Sequence, residues 1–531
     1  MGTVAAEPPE GSTAAAHRPH DVSPEEERIL AYASAIGREF DFGLLTRATG
    51  IDEERVVERL EQLVHRRFLR ERLGGDRFAF ANEEERVRIY QSLTASRLRV
   101  LHRKVAEAME ATDPDPSPEV IAELGRHYFL GKFPEKSYEF NRRGAELARH
   151  DRNPELLANH LERIRIDLAS LPGDHANEYT DLLQELGDLY FDTGDDERAD
   201  SLFAEGLERV EASDAVRRAR FLLARGEIAR ERLSVDAARR FVEEARALFL
   251  GAGDLAGAAG AHRVLGRIHF ERGEYREALE EGLAALDLLR DSPDERVLGR
   301  LCTDIGNAFA SLGPEMATEA DAWYRRAIAH LEAVDDWVEL ARAYHNLGAM
   351  LGDARPQAGL EQLERARQYA ERAHDRRWTA WTLFTGVEMR LAVGQTEEAE
   401  RDNQQARGLL ERSGDPVGLQ QVARNRGLIA ERRGEWEEAE AAYREALDRA
   451  ERAGVPPEVA DSHFALARLH YKLRNFSAAR EHLEAARRGR LTQYRPARAR
   501  AFRELERTLA SEGLPDPTAG PAKATPPASE G

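Results

Sequence analysis

The sequence contains a single cysteine, Cys302, among its 531 residues. One thiol cannot form an intramolecular disulfide, so a disulfide-stapled extracellular scaffold is excluded and a reducing compartment is favoured. No run of about 18 apolar residues occurs, and the first 20 residues have no apolar signal core. We therefore expect a cytoplasmic protein with no membrane partner.

Basic residues are outnumbered by acidic ones. The chain has 77 Lys and Arg against 97 Asp and Glu, which gives a formal net charge of −20. Such a balance argues against nonspecific binding of nucleic acid, and it favours solubility or basic partners.

Motifs that carry chemistry are also lacking. The nearest approach to a phosphate-binding loop is GRHYFLGKF, residues 125–133, but five residues separate the glycines where four are needed. In addition, Phe133 follows Lys132 where a Ser or Thr hydroxyl would meet magnesium. Cys302 lies in an apolar helical pattern, which is typical of a buried structural thiol. We predict that the chain is not an enzyme and has no cofactor or metal.

What the sequence does contain is a helical pattern that repeats about every 40 residues. In HRVLGRIHFERGEYREALEEGLAAL, residues 262–286, small residues recur where two antiparallel helices would approach closely. The last small residue of this frame recurs at Gly206, Ala245, Ala285, Ala327, Ala366, Ala406, Ala446 and Ala486. Helical hairpins of equal phase cannot each bury an apolar face alone, so they are predicted to stack into a solenoid.

Composition and pattern divide the chain into six segments. Residues 1–20 and 513–531 are rich in Pro, Gly, Ala and Ser and are predicted to be disordered tails. Residues 118–178 are interpreted as atypical leading helical repeats, residues 179–490 as eight repeats of about 40 residues, and residues 491–512 as a closing helix.

Residues 21–110 follow a different pattern. Ser23 and Glu26 form a capping box that opens a first helix, a second helix ends at Gly50, and a third begins near Asp52. Two short strands flank Gly74-Gly75 within residues 66–80. Three helices followed by a two-stranded wing predict a winged-helix domain.

A winged helix often contacts DNA, and five wing arginines keep that alternative open. These possible nucleic-acid contacts are Arg66, Arg67, Arg70, Arg72 and Arg77. The third helix, however, begins Asp52-Glu53-Glu54, and these carboxylates would repel phosphate where such domains usually meet base edges. A protein contact is therefore favoured over DNA binding, and a DNA-binding transcriptional regulator remains an alternative.

The repeat frame, with Leu265-Gly266, Gly273 and Ala278, resembles the tetratricopeptide repeat, whose commonest form has 34 residues. This resemblance implies a nearly all-α fold: a right-handed α-solenoid of tetratricopeptide-like hairpins, preceded here by the winged-helix domain.

The order of elements at the N-terminal side also resembles a known arrangement. AIGREFDFGLL, a wing ending in RFAF, an Arg-x-x-Ile-Tyr helix, LHRKVAEAME and then repeats are similar to the C-terminal half of the signal-transduction ATPases of the STAND class. The matching residues are Phe78, Phe80, Arg86, Ile89, Tyr90, Leu101, His102 and Arg103. The resemblance implies a sensor without the ATPase module, or a regulatory subunit of an ATPase on a separate chain. Asn82 and Glu84 depart from the family pattern, in a segment that contacts the nucleotide module in that family.

In a repeat solenoid the first helix of each hairpin lines the concave face. Counting from the glycine of each repeat gives these groove positions: Arg263, Arg267, Phe270, Asn307, His345, Asn346, Arg424 and Asn425. Asn can pair with an extended peptide backbone, and Arg can pair with a ligand carboxylate. We predict a non-enzymatic scaffold or sensor in signalling or regulation, which binds a partner protein or peptide in this groove. Simple solvated side chains are the alternative interpretation.

Overall fold

The computed structural model describes residues 22–72, 74, 76–113, 115–232, 234–290, 294–352, 354–494 and 498–511. The predicted tails at 1–20 and 513–531 lie outside the described residues, as does Gly75 of the predicted turn. Contacts divide the chain into two units, residues 1–210 and residues 211–531. The first of the eight predicted repeats therefore falls in the first unit.

The first unit begins with a small domain of helices and a three-stranded antiparallel sheet. Its elements are α1 (Pro24–Ile36), β1 (Glu39–Asp41), α2 (Phe42–Thr49), α3 (Glu53–His65), β2 (Leu69–Glu71) and β3 (Arg77–Phe80). The strands form one antiparallel sheet in the order β1-β3-β2, with Phe40 opposite Phe78 and Leu69 opposite Phe80. The sequence predicted β2 and β3 but not β1. This order of elements is the one expected of a winged helix, and that assignment stays a prediction.

Helices complete the first unit. They are α4 (Glu83–Ser92), α5 (Ala95–Glu110), α6 (Pro118–Leu130), α7 (Pro134–His150), α8 (Pro154–Leu168), α9 (Ala176–Asp192) and α10 (Asp196–Arg209). The near-match to a phosphate-binding loop lies in α6 and the turn that follows it. Gly131 ends that helix, and the Gly131 and Lys132 amides are bonded to carbonyl groups of α6.

Some of the residues that carry the resemblance to STAND ATPases form hydrogen bonds between helices of the first unit. Arg86 donates from Nη1 to the Ser34 carbonyl at 3.0 Å, and the Tyr90 hydroxyl lies 2.8 Å from His102 Nε2. Asn82, which departs from the family pattern, accepts a hydrogen bond from the Glu84 amide at 3.0 Å and so caps α4. A helix cap accounts for Asn at this position.

The second unit consists of helical hairpins and two closing helices. The first helices of the hairpins are α11 (Ala215–Glu231), α13 (Leu255–Glu271), α15 (Glu295–Leu312), α17 (Trp337–Gly352), α19 (Arg376–Ala392), α21 (Pro416–Arg433) and α23 (Pro456–Lys472). The second helices are α12 (Val235–Ala252), α14 (Tyr275–Leu288), α16 (Ala317–Glu332), α18 (Pro356–Arg372), α20 (Thr396–Ser413), α22 (Trp436–Ala453) and α24 (Phe476–Arg488). A 3₁₀ turn, Pro314–Met316, precedes α16, and α25 (Leu491–Tyr494) and α26 (Ala499–Ser511) follow the hairpins.

Aspartates in the linkers between repeats start the first helices. The carboxylate of Asp254 accepts from the Gly257 amide at 2.9 Å, and that of Asp415 accepts from the Gly418 amide at 2.9 Å. Each satisfies a backbone donor that the helix itself leaves unpaired. The Gly-Asp pair recurs in the linkers GAGD (251–254) and RSGD (412–415), where it ends one hairpin and begins the next.

Small residues on the first helix make room for a large ring on the second. A Cβ placed on Gly427 would lie 2.5 Å from Cε1 of Tyr443, and one on Gly306 would lie 2.8 Å from Cε1 of Tyr324. Both tyrosines are almost fully buried. This is the packing that the phased small residues predicted, and the all-α solenoid of helical hairpins is confirmed.

The first helices face the inside of the solenoid. Each contacts its own second helix, and each also contacts the first helix of the next repeat, from α11 through α23. Elements whose successive copies meet in this way lie on the inner side of a curved stack. Side chains projecting from α13 through α23 on this side therefore form one continuous inner surface.

Candidate functional site

Four consecutive first helices line a cleft of about 530 Å³, here named the tryptophan cleft. Its wall includes Arg263, Arg267 and Phe270 from α13, Asp304 and Asn307 from α15, Glu339, Arg342 and Asn346 from α17, and Trp378 and Trp381 from α19. The structure thus brings together five of the eight predicted groove residues. The two tryptophans, with ring centroids 5.8 Å apart, form an aromatic wall.

Charges in the tryptophan cleft are paired between repeats. Arg342 contacts Asp304 of the preceding repeat, and its Nη1 lies 3.2 Å from Glu339 Oε2. Burial disfavours the charged guanidinium, but these two carboxylates outweigh burial and raise the pKa of Arg342. Arg263 lies 3.6 Å from Asp304 and 3.8 Å from Glu227. The cleft is therefore held together by ion pairs that link neighbouring first helices.

Arg267 differs from the other arginines of the cleft. Burial, followed by the nearby charge of Arg230, lowers its pKa. Among the described residues, no carboxylate lies within ion-pairing distance of it, although Glu227 and Asp304 are near enough to raise the pKa in part. A half-buried cation whose charge is not offset by direct contact is stabilised when an anion binds beside it.

Asn307 and Asn346 form a hydrogen-bonded pair across two repeats. The Oδ1 atom of Asn307 accepts from the Tyr324 hydroxyl at 2.8 Å and from Asn346 Nδ2 at 2.9 Å. Because Tyr324 is buried, it fixes the orientation of the Asn307 amide, which in turn positions Asn346 at the wall of the cleft.

His345 supports the aromatic wall from behind. It is 6% exposed, and its ring lies edge-on to Trp378 with centroids 5.3 Å apart. Burial lowers the pKa of His345 to about 4, so the ring is neutral at physiological pH. Trp381 in turn donates from Nε1 to Asp415 at 3.0 Å. His345 was predicted as a groove residue, and the structure places it behind Trp378.

The remaining two predicted groove residues lie further along, on α21. Arg424 is 4% exposed and sits between Glu388 of α19, at 2.5 Å, and Asp461 of α23, at 2.9 Å. We name the group Glu388, Arg424 and Asp461 the carboxylate notch. Asn425 is also buried and donates from Nδ2 to the Phe384 carbonyl at 2.7 Å. Both predicted side chains are therefore bonded within the solenoid.

The five wing arginines divide into two groups. Arg66 lies 2.8 Å from Glu26, Arg72 contacts Glu39, and Arg70 donates to the Ala81 carbonyl at 3.2 Å. Arg67 and Arg77 are exposed. Two of the five positive charges are thus offset by neighbouring carboxylates, and DNA contact at the wing stays a prediction.

Sequence reasoning missed Trp378, Trp381, Glu388 and Asp461. Counting from Gly386 in the repeat of α19 places Leu383, Phe384, Val387 and Arg390 at the expected groove positions, whereas Trp378 and Trp381 lie further toward the start of the helix. A usable signal was present, because two of the chain's five tryptophans fall within the single stretch RRWTAWTLF.

Metal-binding groups and membrane-spanning helices were sought in the part of the chain that the structure describes. There, no group of three His, Cys, Asp or Glu side chains is arranged to hold a metal ion. No helix in those ranges is long and apolar enough to cross a membrane. Cys302 is buried, and burial raises the pKa of its thiol to about 11.

A model of the tetratricopeptide repeat family matches residues 419–491, which span α21 to α24 and include Arg424 and Asp461. The chain thus carries tetratricopeptide-like repeats. No curated protein sequence matches this repeat protein.

Several solved structures are similar to this tetratricopeptide-like protein. A STAND protein with a tetratricopeptide repeat sensor from Pyrococcus horikoshii is 12% identical over 81% of this chain, with a TM-score of 0.45. The match spans 64% of that protein's length. A Rap protein complexed with competence and sporulation factor is 13% identical, covering 75% of this chain and 99% of its own, with a TM-score of 0.46. Aspartyl phosphate phosphatase F from Bacillus subtilis is 13% identical, covering 67% and 95%, with a TM-score of 0.47.

Proposed function

We propose that this chain is a non-enzymatic scaffold or sensor in signalling or regulation, and that it binds a segment of a partner protein or peptide in the tryptophan cleft. The observation that carries the proposal is the half-buried Arg267, whose charge no described carboxylate offsets by direct contact, in the same cleft as two tryptophans. An aromatic wall with a few convergent polar groups is the usual composition of a binding pocket.

Three features of the cleft suit a peptide. Trp378 and Trp381 offer a large contact area whose rings are already packed against His345 and Phe384, so little side-chain freedom is lost on binding. Asn346 offers an amide in the same cleft. Arg267 would pair with a carboxylate of the ligand, either a side chain or a chain terminus.

A peptide-display selection on the full chain tests this function. Peptides selected by the wild-type protein should bind Arg267→Met about 10- to 100-fold more weakly, because a hydrogen bond to a charged group contributes roughly 1.5–3 kcal/mol. Arg325→Met is the matched control. Arg325 is an exposed arginine of α16 that pairs with Asp321 at 2.7 Å, outside the cleft. Equal affinities for the two variants, or no selected peptide at all, would contradict the proposal.

A further inference from the structure

Two described residues near the C-terminal end of the second unit, Gln493 and Arg498, contact repeats that are distant in sequence. Gln493, on α25, donates from Nε2 to the Arg272 carbonyl at 2.9 Å, although the two residues are 221 positions apart. A Cβ on Gly273 would lie 3.0 Å from Gln493 Cγ, so the contact at the end of α13 is close. Leu491, at the start of α25, is buried with Phe464 of α23 and anchors this helix.

Five residues beyond Gln493, Arg498 contacts the carboxylate notch. Arg498 Nη2 lies 3.0 Å from Glu388 Oε1, and Arg498 Nε lies 3.6 Å from Asp461 Oδ1. The notch holds two carboxylates and one guanidinium of its own, so without Arg498 its formal charge is −2 + 1 = −1. Arg498 therefore completes the charge balance of the notch from a segment 110 residues away from Glu388.

The electrostatics of Glu388 agree with a site for a second guanidinium. Partial burial opposes ionisation of this carboxyl, but Arg424 and then Arg498 outweigh burial and hold its pKa well below the ordinary value. Two cations thus act on one carboxylate. Arg424 comes from the neighbouring repeat, whereas Arg498 comes from beyond the last hairpin.

The two arginines are held very differently. The side chain of Arg424 is 5% exposed, whereas that of Arg498 is 27% exposed and that of Glu388 is 39% exposed. Arg424 contacts both Glu388 and Asp461 from the buried side of the notch. The notch is therefore preorganised, and Arg498 occupies its solvent-facing side.

We propose that the carboxylate notch is a guanidinium-binding subsite of the groove, that the partner is a peptide segment bearing an arginine, and that Arg498 occupies the subsite until such a segment displaces it. This inference rests on the proposed function, since it names the ligand chemistry of the same inner surface. The net charge of −20 favours the approach of a basic segment.

A labelled nonapeptide, TQYRPARAR, copied from residues 492–500, is the probe, and fluorescence anisotropy with the full chain is the measurement. Arg498→Ala should bind the probe at least about tenfold more tightly than the wild type, because a tethered competitor acts at a millimolar effective concentration. Arg500→Ala is the matched control. This arginine is exposed, and its removal should leave the affinity at the wild-type value.

The probe itself supplies a test that does not depend on the folding of a variant. Replacing its seventh residue, the counterpart of Arg498, with citrulline removes the charge and keeps the shape. The gain seen with Arg498→Ala should then be lost, whereas citrulline at the ninth residue should leave it intact. If Arg498→Ala binds no more tightly than the wild type, or if the two citrulline peptides bind equally, the inference is wrong.

The two proposals fail separately. Peptides selected on Arg498→Ala that require Arg267, but carry no excess of arginine and do not compete with the probe, would leave the proposed function standing and overturn the subsite. If instead the probe binds through its seventh residue but no selected peptide depends on Arg267, the subsite stands and the proposed function of the tryptophan cleft is overturned.

Discussion

The tryptophan cleft and the carboxylate notch are built on the same kind of repeat, yet they carry opposite chemistry. In the cleft, carboxylates pair with Arg342 and Arg263, and Arg267 remains without a carboxylate in direct contact among the described residues. In the notch, two carboxylates share one buried arginine, and a second arginine comes from the C-terminal stretch. The cleft therefore offers Arg267 to a ligand carboxylate, and the notch offers two carboxylates to a ligand guanidinium once Arg498 has left.

This difference shows how a solenoid acquires a direction. A glycine packs against a buried tyrosine in both regions, so this packing alone gives a bound ligand no preferred orientation. The charges break that equivalence. A peptide that spanned both regions would need an acidic group at one end and an arginine at the other, which fixes its orientation along the groove.

The largest difference between the two regions should appear when one arginine is removed from each, Arg424 from the notch and Arg267 from the cleft. Arg424→Met should destabilise the second unit by about 3 kcal/mol, because Asp461, which is 5% exposed, loses its buried partner. Arg267→Met should change stability by less than about 1 kcal/mol, since it removes a half-buried charge without breaking a close pair. Urea unfolding followed by circular dichroism measures both. Losses of equal size would show that the two regions are not held differently.

The pH dependence of the free energy of unfolding should also differ between the two regions. His345, behind the cleft, has a folded pKa of about 4 and an unfolded value near 6.5, so the unfolded state takes up its proton first. Its contribution to stability is lost as pH falls from about 6.5 to 4, by at most about 3 kcal/mol. His345→Gln should show a shallower slope than the wild type in urea unfolding between pH 7 and 4, and the slope that remains comes from other buried histidines such as His482.

Glu388, in the notch, has a depressed pKa, so its contribution is present above the unfolded value of about 4.3 and is lost only as pH falls below it. Glu388→Gln should therefore follow the wild-type slope from pH 7 to 5 and depart from it at lower pH. Parallel curves for wild type and His345→Gln above pH 5, or an early departure of Glu388→Gln, would contradict this separation.

The packing of glycine against tyrosine occurs in both regions, so disrupting it should lower stability by a similar amount in each. Gly306→Ala and Gly427→Ala each place a methyl group against a buried tyrosine ring, and each should cost about 1–3 kcal/mol. Gly408→Ala, in α20, is the control, because a Cβ there has nothing within 4 Å and should stabilise the helix by up to about 1 kcal/mol. A clearly larger loss at one of the first two sites would mean that the scaffold itself differs between the regions.

Much of the fold could be predicted because its rules are local. The phased small residues, the linker aspartates and the capping box at Ser23 each act within one or two helices, so one sequence displays them. Strand β1 escaped prediction because Glu39–Asp41 is only three residues long and owes its strand conformation to pairing with β3, nearly 40 positions away.

The binding surface could be predicted only in part. Position within a first helix indicates that Arg263, Arg267 and Arg424 face inward, but it cannot indicate which carboxylate meets each of them. The partners of Arg424 come from the repeats on either side, and Arg498 comes from beyond the last hairpin. Pairing between repeats depends on how the hairpins stack, and that information is not local.

A stack of repeats that contact mainly their neighbours extends under load as a coil spring does, through small adjustments at every interface. The hydrogen bond between Gln493 and the Arg272 carbonyl joins two distant turns of that spring directly. The Arg498 contacts with Glu388 and Asp461 are a second link between the C-terminal residues and the repeats. We expect a ligand that takes the place of Arg498 to leave the distant repeats with fewer direct links, and so to make the solenoid easier to extend.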